Sequence, residues 1–587
     1  MSLIKKDTNY PSIDKTHEKQ YNFFENNPII PSISIFNAIN LISKSYSNEI
    51  AVNSLELNKT FKSLIKDSAL LSKAFKELGI KNGDIIVVSM PNYYQAVITF
   101  FAANRIGATT TFLNSFSSKE EISNYLNLFE SPLFINYNKS EEYNKYIKNN
   151  TKVRQIITLY EKDLNMPYFN DNTNNFIGYN DFISFNDAKL VGNYYKKPLT
   201  TLYGGKENAL ILYTSGTTGN PKSVVLTNEN ILASGIYMKN STNLSNTKGE
   251  KSLVCVPFTY PYGFSTSTLM SLLCGRQAIL APDLSSENIK TYLKKNPNII
   301  FGSPALLELI KRNTPENQDL SSIKTFISGG DFLTETQAKE GKEFFKKHNA
   351  EVTICNGSGN AETVGASTNS VGIKIKPETV GKILVGTKAI VINPDTMKEL
   401  KYGEEGLLCI SGKHVFKEYY KEPKLTQDSK FIYKGNTYFK TGTRGKIDKE
   451  GYFTLTGRDS RYYIISTLNK VYCDRVQLIM SRIDCIEAVA IVEKPDKEML
   501  FTNKAFIVLK EGIKASEAIK KYILRKCTET LKLENGEDVE LKEYEIPSSI
   551  EFVEKLPRTK ADKIDYNVLK ENAINEYKEE QHILKLK

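Results

Sequence analysis

From Phe61 onward, apolar residues fall at Leu64, Ile65, Ala69, Leu70, Ala74 and Leu78, the three-and-four spacing of one helix face, and the pattern stops at Gly79. Lys81-Asn82-Gly83-Asp84 reads as a turn, Ile85 to Ser89 as a buried strand, and Tyr93 to Ala103 as a second helix stopping near Gly107. An earlier helical pattern surrounds Ile35–Ile42. Strand, helix and strand in this order predict a parallel α/β sheet. The alternation returns at Ser252–Val256, Ala278–Ala281, Ile299–Phe301, Thr325–Ser328 and Val352–Ile354. After about residue 375 the texture changes to short strands and turns (Gly381–Ile383, Ala389–Ile392, Gly406–Ile410), more like a small barrel or sandwich. Beyond Gly457 a strand–helix–strand–strand–helix order predicts a compact α+β unit. The expected architecture is α/β: a large N-terminal body over residues 1–457, with two α/β subdomains and a β-rich subdomain, and a small α+β C-terminal domain over 458–587.

Composition narrows the class. With 587 residues, 40% hydrophobic and 25% charged, the chain is neither disordered nor fibrous. No run approaches the roughly 18 apolar residues of a membrane helix, and Met1–Asp7 lacks an apolar signal core, so a cytoplasmic protein with no transmembrane segment is expected. The seven cysteines are scattered without CxxC spacing and read as buried, reduced thiols. The four histidines sit in no motif, which argues against triads and metal clusters. The net charge of +11 is spread through residues 1–457 without an arginine-rich stripe, so nucleic acid is not an expected partner.

The most informative segment is Leu210-Ile211-Leu212-Tyr213-Thr214-Ser215-Gly216-Thr217-Thr218-Gly219-Asn220-Pro221-Lys222-Ser223. Small hydroxyl residues and glycines let backbone N–H groups and hydroxyls surround a polyphosphate, and a lysine adds charge. It is not a Walker loop, which runs into a helix after GxxxxGK[ST]. Here the lysine follows proline and both flanks read as strands, so the segment is a hairpin loop; on composition alone a plain surface loop fits as well.

The residue order TSGTTGxPK resembles the signature loop of the adenylate-forming superfamily, which includes acyl-CoA synthetases, peptide-synthetase adenylation domains and luciferases. The resemblance runs on in order. It covers Leu78–Asp84 with Met90-Pro91-Asn92, then Pro257–Gly263 at the acyl site, and Ser328-Gly329-Gly330-Asp331 beside adenine. It continues through Asn356-Gly357-Ser358-Gly359-Asn360-Ala361-Glu362, Tyr438–Thr443, Gly457–Arg461 and Leu556–Ile564. It implies that a carboxylate attacks the α-phosphate of ATP to give acyl-AMP and pyrophosphate, after which a thiol takes the acyl group. Anion meets anion in the first half, so charge neutralisation and in-line positioning must dominate.

On this resemblance Thr214 to Gly219 and Lys222 hold the β/γ-phosphates, and Glu362 ligates Mg²⁺, a hard ion suited to one carboxylate plus phosphate oxygens and waters. Gly329, Gly330, Asp331 and the Asn356–Ala361 segment line the nucleotide, with Thr443 and Arg458 at its ribose and phosphate side. Tyr260, Gly263 and Gly302 belong to the acyl pocket, and Asp459-Ser460 form the hinge of a mobile C-terminal lid carrying the catalytic Lys563. For Glu362 a helix-start carboxylate, and for Arg458 a surface ion pair, are the alternatives. The implied cofactors are ATP, Mg²⁺ and CoA or a phosphopantetheine arm. The implied partners are a small-molecule carboxylic acid and, for the second acceptor, an acyl or peptidyl carrier protein.

Several positions depart from the pattern. Ser358 stands where the family stacks an aromatic residue on adenine, and Thr443 where a carboxylate accepts from both ribose hydroxyls. The second change forfeits roughly 1–3 kcal/mol, or about 5- to 150-fold in affinity. Ser460 stands at the hinge Asp/Lys position and Asp562 where glycine is usual. A weakened ATP site is expected, with a non-catalytic nucleotide- or acyl-binding descendant as the further alternative. Pro257–Ser265 contains no acid to pair with a substrate ammonium, which disfavours α-amino acids and favours an apolar or aryl acid; Tyr260 stands where acyl-CoA synthetases often have histidine.

Overall fold

The computed structural model describes residues 8–15, 28–164, 182–199, 203–214, 222–241, 248–330, 333–459, 461–465, 470–497, 500–532, 538–559 and 563–586. The first long helix is Phe61–Glu77. Thr60 caps it by accepting the amide of Ser63 at 3.1 Å, and Gly79 ends it at φ +76°. Its buried stripe is Phe61, Leu64, Leu71, Ala74 and Phe75, while Ile65 and Leu70 flank the stripe half-buried. The helix Tyr94–Arg105 is buried from Tyr94 through Asn104, so it has no polar face. It contributes to one apolar core shared by both large sheets.

Those sheets are the two α/β units. One runs in the order Glu418–Tyr419, Ser223–Thr227, Asn208–Tyr213, Thr109–Phe112, Ile85–Ser89, Leu133–Tyr137, Gln155–Leu159, Phe182–Ser184. It is parallel from Asn208–Tyr213 outward to Phe182–Ser184 and antiparallel at the other edge, where the signature hairpin lies. The other sheet orders Thr353–Asn356, Thr325–Ser328, Ile299–Gly302, Lys251–Val254, Gln277–Leu280, Ile50–Ser54 and Leu57–Thr60, and only its last pair is antiparallel. Strands covered on both faces read as unbroken apolar runs, which is why Ile85–Ser89 and Asn208–Tyr213 were legible.

The β-rich unit is an antiparallel sheet of Lys388–Ile392, Gly406–Ser411, Asn436–Ile447, Lys430–Tyr433 and Phe453–Arg458. Past Asp459 a three-stranded sheet (Ile486–Asp496, Leu500–Leu509, Ser549–Phe552) packs with helices Cys473–Met480, Glu517–Cys527 and Tyr566–Leu586 around its own apolar clusters. Buried Lys494 pins the last helix through Glu576 at 3.0 Å and Glu580 at 2.8 Å, and Lys504 also pairs with Glu576. Arg482, in the turn after the helix Cys473–Met480, forks onto both carboxylate oxygens of Glu378, which is buried and held at φ +63°. All seven cysteines are buried and free. Among the described residues, no helix is long and apolar enough to cross a membrane.

Candidate active site

The hairpin strands Asn208–Tyr213 and Ser223–Thr227 bring Thr214 and Lys222 to the neck of the loop. The Thr214 amide donates to the Lys222 carbonyl at 3.1 Å, and the Thr214 hydroxyl accepts the Lys222 amide at 3.2 Å. Ser215, Gly216, Thr217, Thr218 and Gly219 lie outside the described residues, as do Asp331 and Ser460. The Lys222 ammonium sits 5.3 Å from the centroid of the Tyr419 ring.

Tyr419 links that lysine to the proposed metal carboxylate. Its hydroxyl donates to Glu362 Oε1 at 2.6 Å, and the Phe416 amide donates to the Glu362 carbonyl at 2.8 Å. Glu362 lies in the 3₁₀ turn Ala361–Thr363 and is 6% exposed. Burial raises its carboxyl pKa above the usual range, against the opposing pull of the Tyr419 hydroxyl, its own backbone and the Lys222 and Arg458 cations. The Lys222 and Arg458 cations thus both act on the Glu362 carboxylate. No cluster of three or more His, Cys, Asp or Glu exists among the described residues. A lone carboxylate with one oxygen taken by a tyrosine suits Mg²⁺ carried in on phosphate oxygens and waters, which needs few protein ligands.

The segment before Glu362 crosses the strand ends of the second sheet. Asn356 brackets Leu333, accepting its amide at 3.2 Å and donating to its carbonyl at 2.9 Å. Gly357 donates to the Ser328 carbonyl at 2.9 Å, and Ser358 donates its amide to the Thr368 hydroxyl at 3.0 Å. A Cβ on Gly359 would stand 2.5 Å from the Gly365 backbone, so only glycine fits there. Gly329 donates to the Gly302 carbonyl at 2.9 Å, joining the two strand ends, and Gly330 follows at φ +84°.

The opposite wall comes from the β-rich unit. Thr443 and Arg458 are register partners across Asn436–Ile447 and Phe453–Arg458. Arg458 is exposed, and its amide donates to Asp474 at 2.9 Å. Asp459 donates its amide to the Gly442 carbonyl at 2.8 Å and accepts from Arg444 at 3.2 Å. Asn360 ties the walls together by donating to the Thr441 carbonyl at 3.1 Å.

At the proposed acyl end, Tyr260 and Gly263 precede and enter a π-helical segment, Tyr262–Leu269. The Gly263 amide donates to the Tyr260 carbonyl at 3.0 Å. Phe264 is a core residue between Phe100, Phe112 and Phe258. Tyr262 donates to the Ile327 carbonyl at 2.6 Å and lies against Gly329. The Thr559 amide donates to the Lys563 carbonyl at 2.7 Å, Leu556 is buried in the apolar cluster beside the last helix, and Asp562 lies outside the described residues. Sequence reasoning missed Tyr419. It stands in none of the motifs, on the two-residue strand Glu418–Tyr419, too short to show a period.

The chain is similar to known proteins over most of its length. Residues 42–420 match the model of the AMP-binding enzymes, and residues 478–563 match that of the AMP-binding enzyme C-terminal domain. The long-chain-fatty-acid–CoA ligase of Bacillus subtilis (strain 168) is 26% identical over 92% of this chain and 93% of its own. The 2-succinylbenzoate–CoA ligase of Listeria monocytogenes is 26% identical over 87% and 94%. The crystal structure of the anthranilate CoA ligase AuaEII with anthranoyl-AMP superposes with TM-score 0.77 at 19% identity, covering 94% of this chain and 99% of that one. ATP-bound MatB from Rhodopseudomonas palustris gives TM-score 0.76 at 20% identity, covering 92% and 99%.

Proposed function

The chain belongs to the AMP-binding enzyme family, and we propose that it is an AMP-forming acid–thiol ligase. It activates a carboxylic acid as acyl-AMP and passes the acyl group to a thiol, CoA being the acceptor its named relatives share. The observation that carries this reading is Glu362: a buried carboxylate hydrogen-bonded by Tyr419 and electrostatically coupled to Lys222 and Arg458. A carboxylate this deep is costly unless cations and a metal share its charge. Mg²⁺, when bound, would neutralise phosphate charge. Glu362 would hold it, Lys222 and the loop beginning at Thr214 would grip the β/γ-phosphates, and Arg458 would meet the ribose or α-phosphate from the opposite wall.

Residues 458–587 then act as a lid turning about Asp459-Ser460, and its Lys563 bridges the substrate carboxylate and α-phosphate during adenylation. The acid-free stretch Pro257–Ser265, with Phe258 and Phe264 buried in the core, supports an apolar or aryl acid rather than an amino acid. ATP–pyrophosphate exchange against a panel of carboxylic acids tests the reading. Exchange with an aliphatic or aryl acid is expected, and Glu362→Gln should abolish it. No exchange with any acid, together with retained ATP binding, would overturn catalysis in favour of a binding role. Supplying CoA or a holo carrier protein to the preformed acyl-AMP then identifies the acceptor.

A further inference from the structure

The segment that supports Glu362 also walls a separate cavity. Phe416, whose amide holds the Glu362 carbonyl, lines a space of about 580 Å³ together with Tyr237, Phe439, Asn436 and three lysines, Lys388, Lys413 and Lys430, and no lining residue is acidic. Lys413 is answered by Glu229 at 2.8 Å. Among the described residues the other two meet only neutral hydrogen-bond acceptors: Lys388 donates to the Asn436 amide oxygen at 2.6 Å, and Lys430 donates to the carbonyls of Phe416 and Lys417, both at 2.9 Å. An ammonium has three N–H donors, so Lys388 keeps two of its donors for a ligand and Lys430 one. The Lys430 ammonium also lies 4.1 Å from the Phe416 ring centroid. Beside this wall the fully buried His414 stands edge-on to Tyr237, and neither of its ring nitrogens has a hydrogen-bond partner among the described residues.

We propose that this cavity is a second ligand site, taking a small phosphomonoester on Lys388 and Lys430, and that Phe416 and Tyr419 couple it to Glu362. A phosphomonoester brings about −1.5 to −2 charges, the complement of two ammonium groups that form no ion pair among the described residues, Lys430 feeling only the field of Glu418. Its organic part finds the rings of Tyr237, Phe416 and Phe439 as an apolar wall. Burial pushes Lys430 down to about 8, which leaves it charged at neutral pH. The route to Glu362 is short: the Phe416 and Tyr419 rings lie 4.7 Å apart, and each residue donates a hydrogen bond to Glu362. A ligand that moves Phe416 therefore changes the nucleotide site, and ATP must change the ligand's affinity by the same factor.

The binding site stands on geometry alone, whereas the coupling rests on the proposed nucleotide site, and two titrations separate them. Phenyl phosphate is titrated calorimetrically into the full chain, with and without saturating Mg-ATP, and Mg-ATP is titrated alone. One phenyl phosphate site is expected, weakened about tenfold or more in K388M/K430M and retained in K388R/K430R. Should K388M/K430M not fold, Lys430→Gln alone must show a clear part of that loss. No binding, binding unchanged by these substitutions, or complete competitive displacement by ATP overturns the site. Bound phenyl phosphate that leaves ATP affinity unchanged in a protein that binds ATP overturns the coupling.

Discussion

The two walls of the proposed nucleotide site are built on opposite terms. On one, Glu362 is almost fully buried, and its side chain, carbonyl and neighbouring backbone are each committed to Tyr419, Phe416 or the crossing segment. On the other, Arg458 is exposed and Thr443 half-buried, on a strand pair whose edge meets solvent. The residue that matches the family motif in full, Glu362, lies on the buried wall, and the ribose-side departure, Thr443, lies on the open one. A buried charge without its partners costs several kcal/mol, whereas water can stand in for a lost contact at an exposed edge. A change at Glu362 is therefore expensive and one at Thr443 cheap; Ser358, the other departure at the nucleotide, shares the segment of Glu362 but is only half-buried.

The sharpest test of this contrast lies on neither wall. Lys563→Ala should reduce pyrophosphate exchange by about 10²–10³ while leaving thioester formation from supplied acyl-AMP largely intact. Equal loss in both half-reactions would remove Lys563 from the adenylation step. On the open wall, Thr443→Asp should tighten ATP binding by about 1–3 kcal/mol, read by calorimetry. An unchanged affinity would show that another residue already serves the ribose.

A pair of glycines compares the walls directly. Gly359→Ala drives a Cβ to 2.5 Å from the Gly365 backbone, and should cost about 1–3 kcal/mol of stability and disturb Glu362. Gly442→Ala meets nothing within 4 Å and pays only for its φ of +70°, about 1 kcal/mol. Chemical denaturation of the two variants checks the ranking, and a reversed order would break the comparison.

The smallest expected effect is on pH dependence. The Tyr419 hydroxyl pulls the Glu362 carboxyl pKa down against burial, so Tyr419→Phe should move the acid limb of activity to higher pH. Because the folded pKa of Glu362 stays above its unfolded value, the native state binds the extra proton. Its contribution to stability is present at low pH and lost as pH rises from the unfolded value through the folded one. Thermal melts across that range should show less of this loss in Glu362→Gln.

Much of this was legible in the sequence, for reasons that vary by element. Ile85–Ser89 and Asn208–Tyr213 carry continuous apolar runs, because each is covered on both faces. In the C-terminal region the strand–helix–strand–strand–helix order reappears as Lys470–Tyr472, Cys473–Met480, Ile486–Asp496, Leu500–Leu509 and Glu517–Cys527. The π-helical Tyr262–Leu269 was not legible, since its apolar and hydroxyl residues are buried all round and carry no period. Nor was Tyr419, which reaches Glu362 through a two-residue strand whose partner lies almost two hundred residues upstream. Local pattern cannot announce a pairing made over that distance.

That two-residue strand has a consequence beyond chemistry. Glu418–Tyr419 forms the outer rim of the eight-stranded sheet, covering Ser223–Thr227, whose five residues are all buried. Without it, the rim would be an apolar strand with open N–H and C=O groups, a template for another chain. With it, the rim is short and flanked by Lys417 and Lys421, which discourage addition. A fragment ending before Lys417, whether made by proteolysis or present as a nascent chain, would keep nearly all of both large sheets and still be prone to aggregate. The edge of Ser223–Thr227 is thus covered by a stretch of backbone that arrives about two hundred residues after it.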